Sequence, residues 1–252
     1  MLKSAPEIIS ESFHLYTKHW RNFVPYMLVI FLPTLTLSLI GIFSSYLEVF
    51  IPASGLISNI IIIIIYAASF VITVWATIAL IRALSASLAE QTLDWKENFK
   101  VSNHLMLPTI LTSIIAGLIV LGGSILFVIP GIIFTVWYSF ANYPVIFDGA
   151  KSMEALRISK SLVVGRWVQI TWRIIAIGFI FALISIVLSS LTTFVADKIP
   201  MADFLKSTLS SLLSSLVSTI LVPLSTAGSL ILYYNAKANP VGSELPLTPP
   251  KI

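Results

Sequence analysis

The chain has 252 residues, of which 57% are hydrophobic and only 10% are charged. A soluble domain usually carries about 25% charged residues, and the mean hydropathy of this chain is +0.97. The composition therefore excludes an ordinary soluble domain, a disordered chain and a nucleic-acid-binding protein. The net charge is only +4, so the positions of the cations matter more than their sum. Because the chain has no cysteine, it has no disulfide framework, thiolate nucleophile or thiolate metal site.

Six apolar segments are long enough to cross a membrane. A spanning helix needs about 20 mostly apolar residues to cross about 30 Å of hydrocarbon, and continuous apolar runs exclude the alternating strands of a membrane barrel. The predicted spans are about 23–46, 57–81, 105–129, 131–147, 168–195 and 207–234. The third and fourth share one uncharged stretch, in which Pro130-Gly131 is the only strong turn signal. We therefore predict a tight hairpin there, with the fourth span as one short helix.

Lysine and arginine fall mainly on one side of this topology. They lie in the N-terminal segment, in the second-to-third and fourth-to-fifth connections and in the C-terminal segment. The opposite side has only Lys198 and Lys206, which Asp197 and Asp203 offset. Because lysine and arginine are enriched in cytoplasmic loops, both termini of this multi-pass protein are predicted to be cytoplasmic.

Three cytoplasmic segments carry one pattern: Glu, any residue, a large apolar residue, a basic residue and an aliphatic residue. Each segment is amphipathic at helical spacing and precedes a spanning helix. We therefore predict three interfacial amphipathic helices, and a unit of one such helix followed by a transmembrane hairpin that occurs three times. The alternative is that each segment is only a cytoplasmic loop with helical content. The pattern occurs at 11–15, 97–101 and 154–158.

The predicted fold class is all-α: a polytopic membrane helix bundle of six transmembrane helices plus three cytoplasmic interfacial amphipathic helices in a threefold internal repeat. We expect a single integral membrane domain over 1–235, with units of about 5–83, 84–149 and 150–235. Residues 236–252 include four prolines and are expected to form a disordered, Pro-rich cytoplasmic tail.

The most specific stretch is 144–167, in which an Asp-Gly turn leads into an Ala-Leu-x-x-Ser-x-x-Leu-x-x-Gly-Arg helix. It resembles the membrane domain attached to some bacterial glycerophosphodiester phosphodiesterases, and the related stand-alone bacterial integral membrane proteins of the YciC type. In the fused enzymes the phosphodiesterase is a separate soluble domain. The resemblance therefore implies a membrane scaffold of the bacterial cytoplasmic (inner) membrane, and no catalytic residue. The matching residues are Asp148, Gly149, Ala155, Leu156, Ser159, Leu162, Gly165 and Arg166.

Candidate lipid-contacting residues lie where segments enter the bilayer. Trp20-Arg21 and Arg166-Trp167 have the pattern of aromatic and snorkelling anchors. Arg173 lies just inside the fifth span, where snorkelling to headgroups is the preferred interpretation and binding of a buried anion is the alternative. With Arg166 it could form an anionic-lipid headgroup site.

The other polar groups have structural interpretations. Asp148 is predicted to cap the following helix, the alternative being a polar site with Asn142 and Ser159. Small residues on the fifth and sixth spans are predicted to pack the helices closely, the alternative being a hydroxyl-lined groove. The sequence has no mid-span acidic residue and no metal-binding, nucleophile or phosphate-binding motif. No cofactor, metal or catalytic residue is therefore expected.

The predicted function is non-enzymatic: a membrane scaffold that engages lipid headgroups at the cytoplasmic leaflet, with the binding or movement of amphiphilic molecules as an open extension of that role. Its expected partners are membrane lipids, anionic ones in particular, and not nucleic acid. The alternative is a transporter or permease subunit with a cavity between its transmembrane helices.

Overall fold

A computed structural model describes residues 2–50, 55–200 and 203–240, with their side chains except at 41–50, 55–58, 197 and 203–204. These ranges contain eight α-helices and no strand, which confirms the all-α prediction. The helices are α1 (Ala5–Phe50), α2 (Gly55–Leu88), α3 (Trp95–Leu126), α4 (Val128–Trp137), α5 (Asn142–Asp148), α6 (Ser152–Val163), α7 (Trp167–Asp197) and α8 (Asp203–Ala238).

Six helical segments are long and apolar enough to span a membrane, as predicted. They expose large apolar side chains; the five isoleucines at 60–64 in α2, for example, are 39–66% exposed. A soluble protein rarely exposes an apolar surface of this extent, so hydrocarbon is the solvent that these helices require. The segments are Ala5–Ile40, Asn59–Leu88, Trp95–Leu126, Val128–Asp148, Trp167–Ala196 and Leu205–Ala238.

Two of the three predicted interfacial segments are continuous with the span that follows. The first forms the start of α1, in which the backbone of His19 leaves helical geometry (φ −122°, ψ 16°). Just before it, the Thr17 hydroxyl donates to the carbonyls of Phe13 and His14, a local competition with the helix hydrogen bonds that often bends helices. The second forms the first turns of α3, and only the third is a separate helix, α6. The interfacial placement and the threefold repeat stay predictions.

The turn between the third and fourth spans comes earlier than predicted. α3 ends at Leu126, Phe127 is extended (φ −158°, ψ 148°), and α4 begins at Val128. Pro130 and Gly131 are therefore helical residues, and the prediction of a turn at them was wrong. Proline is tolerated in the first turn of a helix because its missing N–H has no intrahelical partner there.

Gly131 marks a close approach of α4 to α3. A Cβ at this position would lie 2.9 Å from the Ser124 Cα, so an alanine must move one of the two helices. We expect Gly131→Ala to lower the free energy of unfolding by about 1–3 kcal/mol. Gly122→Ala, whose Cβ would meet no atom within 4 Å, should be neutral or stabilising by up to about 1 kcal/mol. Thermal unfolding in detergent, followed by tryptophan fluorescence, compares the two variants, and equal midpoints would contradict the close approach.

The fourth span is a broken helix, whereas the sequence predicted one helix over 131–147. α4 ends at Trp137 and α5 begins at Asn142, with a turn between them. The Ser159 hydroxyl of α6 bonds both sides of this break, since it donates to the Trp137 carbonyl at 2.7 Å and accepts the Phe140 N–H at 3.2 Å. Hydrocarbon cannot satisfy the peptide groups that a break exposes, so this buried serine stabilises the interruption.

The described chain forms two compact units. Unit 1 contains 2–11, 107–177 and 228–240, and unit 2 contains 12–106 and 178–227 as far as these are described. Within unit 1, α6 packs against both α4 and α5. The predicted single domain and its three repeating units stay predictions.

The C-terminal helix ends later than predicted. α8 continues through Ala238, so the prediction that a disordered tail begins at 236 was wrong at that boundary. Lys237 lies in the last turn of α8, where a cation is favourable to the helix dipole. Residues 241–252, which make up most of the predicted tail, lie outside the described residues.

Candidate functional site

Trp20 and Arg21 lie just after the bend of α1, and both are exposed. Trp20 is 48% exposed, and the Arg21 guanidinium carbon lies 5.7 Å from the centre of its ring, a cation–π contact. Lys18 instead pairs with Glu90 at 2.7 Å, and this hydrogen bond and charge lower the pKa of the Glu90 carboxyl. Among the described residues Arg21 is in no ion pair, so its charge is available to an external anion.

A second exposed tryptophan–cation pair was not among the predicted site residues. Lys96 Nζ lies 5.4 Å from the centre of the Trp95 ring, and Trp95 is 45% exposed. Lys96, Lys100 and His104 follow one another at four-residue spacing along α3. Together with the carboxylate of Glu97 they line an open groove with a volume of about 520 Å³. We call Lys96, Lys100 and His104 the α3 basic face. The four-residue spacing places the three side chains on one side of a helix. Because this spacing can be read from the sequence, the α3 basic face could have been predicted.

The Arg166 guanidinium binds the backbone of the protein. Nη2 donates to the Ala236 carbonyl at 2.6 Å, Nη1 to the Asn239 carbonyl, and Nε to the Leu162 carbonyl at 2.9 Å. Two of these acceptors lie at the C-terminal end of α8, where carbonyls lack intrahelical donors. Burial lowers the pKa of this guanidinium, but an arginine stays charged at physiological pH. Arg166 therefore caps α8.

Arg173 binds the N-terminal segment within unit 1. Its Nε donates to the Lys3 carbonyl at 2.6 Å and its Nη2 to the Leu2 carbonyl at 3.2 Å, while Nη1 donates to the Gln169 carbonyl at 2.8 Å. The Lys3 N–H donates in turn to Asn235 Oδ1 at 2.9 Å. Polar contacts thus join the residues before α1 to both α7 and α8.

Asp148 does not cap the following helix, so that prediction was wrong. α6 has Lys151 as its N-cap residue and no side-chain cap. The Asp148 carboxylate instead pairs with Lys237 Nζ at 2.7 and 2.8 Å and accepts the Tyr233 hydroxyl at 3.3 Å. Gly149 makes the turn with φ +66°, a conformation that glycine adopts without steric penalty. The carboxylate therefore joins the end of α5 to α8.

The polar site proposed from Asp148, Asn142 and Ser159 has no support in their contacts. Asn142 Oδ1 accepts the Ser113 hydroxyl at 3.1 Å, and Ser159 bonds the break between α4 and α5. Each of the three predicted residues therefore bonds a different part of the protein. Each of these bonds joins structural elements, and the three side chains do not form one polar site.

The other residues of the family-like motif also have structural positions. The buried face of α6, which packs against α4 and α5, is made of side chains at most 9% exposed. Gly165 has φ +87° in the turn before α7, and Trp167, at the start of α7, is 44% exposed. The motif residues on the buried face are Ala155, Leu156, Ser159 and Leu162.

Asn98 is a buried side chain that joins three helices of unit 2. It is 2% exposed; its Nδ2 donates to the Tyr26 hydroxyl and the Ala79 carbonyl, both at 2.8 Å, and its Oδ1 accepts from Arg82 Nε at 2.9 Å. Tyr26 belongs to α1, Ala79 and Arg82 both belong to α2, and Asn98 itself belongs to α3. Asn98 was not among the predicted site residues, because it occupies the any-residue position of the repeated pattern.

α1 and α8 enclose an apolar groove within unit 2, which we call the α1–α8 groove. It is lined by residues between 16 and 31 of α1 and between 216 and 220 of α8, and its volume is about 310 Å³. The hydroxyl of Thr219 in its wall donates to the Ser215 carbonyl at 2.8 Å. The groove opens outward, since Leu28 is 61% and Leu216 is 42% exposed.

Hydroxyl groups join α7 to α8 in unit 2. Thr193 Oγ1 lies 3.0 Å from Ser210 Oγ, and Thr192 Oγ1 lies 3.4 Å from Ser214 Oγ. Hydroxyl contacts between helices are of the kind that the packing interpretation expects, but of these four residues only Ser214 belongs to the small residues on which that interpretation was based. Beside it, an open groove of about 500 Å³ is lined by Ser189, Ser190 and Thr193 with two apolar neighbours.

Two histidines of the described chain lie beside charged side chains. His19 Nε2 lies 3.8 Å from Glu90, and His104 belongs to the α3 basic face. Within the described ranges, no three His, Asp or Glu side chains are grouped so that they could hold a metal ion.

Comparisons of the chain with protein-family models, with curated proteins and with solved structures found no match.

Proposed function

We propose that the chain is a non-enzymatic scaffold of the bacterial cytoplasmic membrane that engages anionic lipid headgroups at the cytoplasmic leaflet. Its six apolar helices make it an integral, multi-pass membrane protein. With six spans, the segments rich in lysine and arginine fall on one side, and the positive-inside rule assigns that side to the cytoplasm. Both termini are then cytoplasmic.

The observation that carries this proposal is the exposure of two tryptophan–cation pairs, Trp20–Arg21 and Trp95–Lys96. Each pair lies before the uncharged run of a spanning helix, which begins after Arg21 in α1 and after Lys100 in α3. Tryptophan prefers the headgroup level of a bilayer, so the cation over each ring lies at the depth of lipid phosphates. Each lysine or arginine near an anionic leaflet adds to the attraction.

The five residues predicted to contact lipid have two different roles in this proposal. Trp20, Arg21 and Trp167 are exposed and contact headgroups together with the α3 basic face. Arg166 and Arg173 use their guanidinium donors on backbone carbonyls. They therefore hold the chain in place rather than serve as the main headgroup ligands.

The threefold repeat and the family resemblance are part of the same proposal. The second position of the repeated pattern is buried in all three copies, as Ser12, Asn98 and Ala155, at 0%, 2% and 0% exposure. The glycines of the family-like motif, Gly149 and Gly165, both have positive φ. These observations support a common structural unit, and none of them requires a catalytic residue.

A transporter or permease subunit is the second candidate, favoured by the hydroxyl-lined groove on α7. Substrate sites of transporters lie near the midplane of the membrane. That groove spans 186–194, within roughly three turns of the C-terminal end of α7 at Asp197. The α1–α8 groove lies at the middle of α8 but is apolar. Neither groove therefore has the position and polarity of a transport site, and the lipid-engaging role has the better support.

Removal of two exposed cations should reduce the preference for anionic lipid. Native mass spectrometry of the purified protein measures the ratio of phosphatidylglycerol to phosphatidylethanolamine that stays bound. For the double variant Arg21→Gln, Lys96→Gln we expect this ratio to fall by about 25-fold, because each cation near an anionic surface contributes about 1 kcal/mol to binding. The matched control, Lys198→Gln with Lys206→Gln, changes cations on the other side of the topology and should keep the wild-type ratio. An equal ratio in both double variants would contradict the proposal.

A further inference from the structure

The α1–α8 groove has the chemistry of an apolar binding site. The hydroxyl of Thr219 is bonded to its own helix. Tyr16 and Trp20 are the first two lining residues of α1, so their polar atoms belong to one end of the groove, and the rest of the lining is aliphatic, phenyl or the thioether of Met27. Neither water nor a polar solute is stable in such a groove. Since the groove lies between two spanning helices and opens outward, lipid acyl chains are the apolar molecules that reach it.

The length of the groove corresponds to one leaflet. Beyond the bend of α1 at His19, its lining runs from Trp20 to Phe31, which at 1.5 Å per residue is about 16 Å of helix. One leaflet contributes about half of a hydrocarbon core of about 30 Å, and the end with Tyr16 and Trp20 belongs at the headgroup level. The groove therefore matches a single acyl chain that enters from the leaflet at which Trp20 lies.

The headgroup end of the groove carries an available cation. Arg21 lies over the Trp20 ring, and no carboxylate of the described chain pairs with it. Lys18 is already paired with Glu90. Because a guanidinium binds phosphate oxygens through parallel N–H donors, Arg21 is the group at this end that suits a lipid phosphate.

We propose that the α1–α8 groove binds one acyl chain of an anionic glycerophospholipid, with the chain between α1 and α8 and the phosphate at Arg21. The preference for an anionic headgroup rests on the function proposed above. The occupancy of the groove by an acyl chain rests only on the lining, length and opening of the groove, so the two parts can fail separately.

Photo-cross-linking in vesicles tests the acyl-chain site. The full-length protein is reconstituted in phosphatidylethanolamine vesicles that contain phosphatidylglycerol with a diazirine in the middle of one acyl chain, and mass spectrometry maps the labelled residues. We expect the label to concentrate at 27–31 and 216–220. Exposure alone would not give this result on α8, because Leu216 and Ile220 are each 42% exposed. Leu39 and Leu118, which lie outside the groove, are 52% and 64% exposed. Labelling that simply follows exposure would overturn the site.

A groove-filling variant provides the second measurement. Ile220→Trp places a larger side chain in the groove, and displacing even two methylene groups of the lipid should lower labelling at 27–31 by about tenfold. Leu39→Trp, the same kind of change at an exposed position of α1 outside the lining, should leave this labelling unchanged. Undiminished labelling of the folded Ile220→Trp protein would overturn the site. If that variant does not fold, the wild-type map decides.

The headgroup is tested with a second probe. The same diazirine chain on phosphatidylcholine should label the groove about fivefold less than the phosphatidylglycerol probe, and Arg21→Gln should abolish that difference. Equal labelling of the groove by the two lipids would overturn the anionic preference and, with it, the proposed function, but not the acyl-chain site. A preference for phosphatidylglycerol with no concentration of label in the groove would overturn the site but not the function.

Discussion

Asn98→Ala is expected to lower the free energy of unfolding by about 2–4 kcal/mol. The substitution removes hydrogen bonds to Tyr26, Ala79 and Arg82, which hold α1, α2 and α3 together in unit 2. A hydrogen bond to a charged group contributes about 1.5–3 kcal/mol, whereas interhelical bonds in membranes average about 0.6 kcal/mol, so the sum for three bonds lies in the stated range. Tryptophan fluorescence of the purified protein during unfolding in mixed micelles measures the change.

Asn103→Ala is the matched control, because Asn103 is exposed on the same helix. It should change the free energy of unfolding by no more than about 0.5 kcal/mol. Asn98→Leu fills nearly the same volume without hydrogen-bonding groups. If the hydrogen bonds of Asn98 are what stabilises the protein, the leucine variant should be no more stable than the alanine variant. Equal stability of Asn98→Ala and Asn103→Ala would show that the amide does not hold the three helices together.

The spans were predictable because hydrocarbon leaves the backbone few alternatives. Each peptide group in a bilayer must be bonded within the protein, so an apolar run of about 20 residues is expected to be helical. Where the helices begin was not predictable in the same way. α1 and α3 begin at Ala5 and Trp95, well before their apolar runs, because an amphipathic segment can continue the hydrogen bonds of the adjoining span.

The turn at Pro130-Gly131 was wrongly predicted because local composition and tertiary contact disagree. Both residue types are typical of turns, but proline also suits the first turn of a helix, and glycine suits a position where another helix passes close. The closeness of the Ser124 backbone to Gly131 is a property of the folded hairpin. A single sequence contains no local signal for it.

The partners of the charged residues were not predictable because they are distant along the chain. Arg166 bonds a carbonyl 70 residues away, Arg173 one 170 residues away, and Asp148 lies 89 residues from its lysine. In the sequence, an arginine beside a tryptophan at a span end has the pattern of an anchor, whether its donors face lipid or backbone. The same pattern at Trp20-Arg21 does correspond to an exposed pair.

Arg166→Ala is expected to fray the C-terminal end of α8. The guanidinium supplies donors to the Ala236 and Asn239 carbonyls, which have no helical donors at that end. The loss of two charge-assisted hydrogen bonds at a partly buried helix end should weaken local structure by about 2 kcal/mol. Hydrogen exchange followed by mass spectrometry should then show the amides of 234–239 exchanging about 30-fold faster, with a smaller change in the middle of α8.

Arg166→Lys separates the charge of this side chain from its geometry. Lysine keeps the positive charge near the helix C-terminus but cannot present a planar fork to two carbonyls, so we expect it to restore only a minor part of the protection from exchange. Arg157→Ala removes an exposed arginine of α6 and should leave exchange at 234–239 unchanged. If exchange there were the same in wild type and in Arg166→Ala, the carbonyls of α8 would not depend on this guanidinium. Its donors would then be available to a lipid phosphate beside Trp167, which is the role that the sequence first predicted.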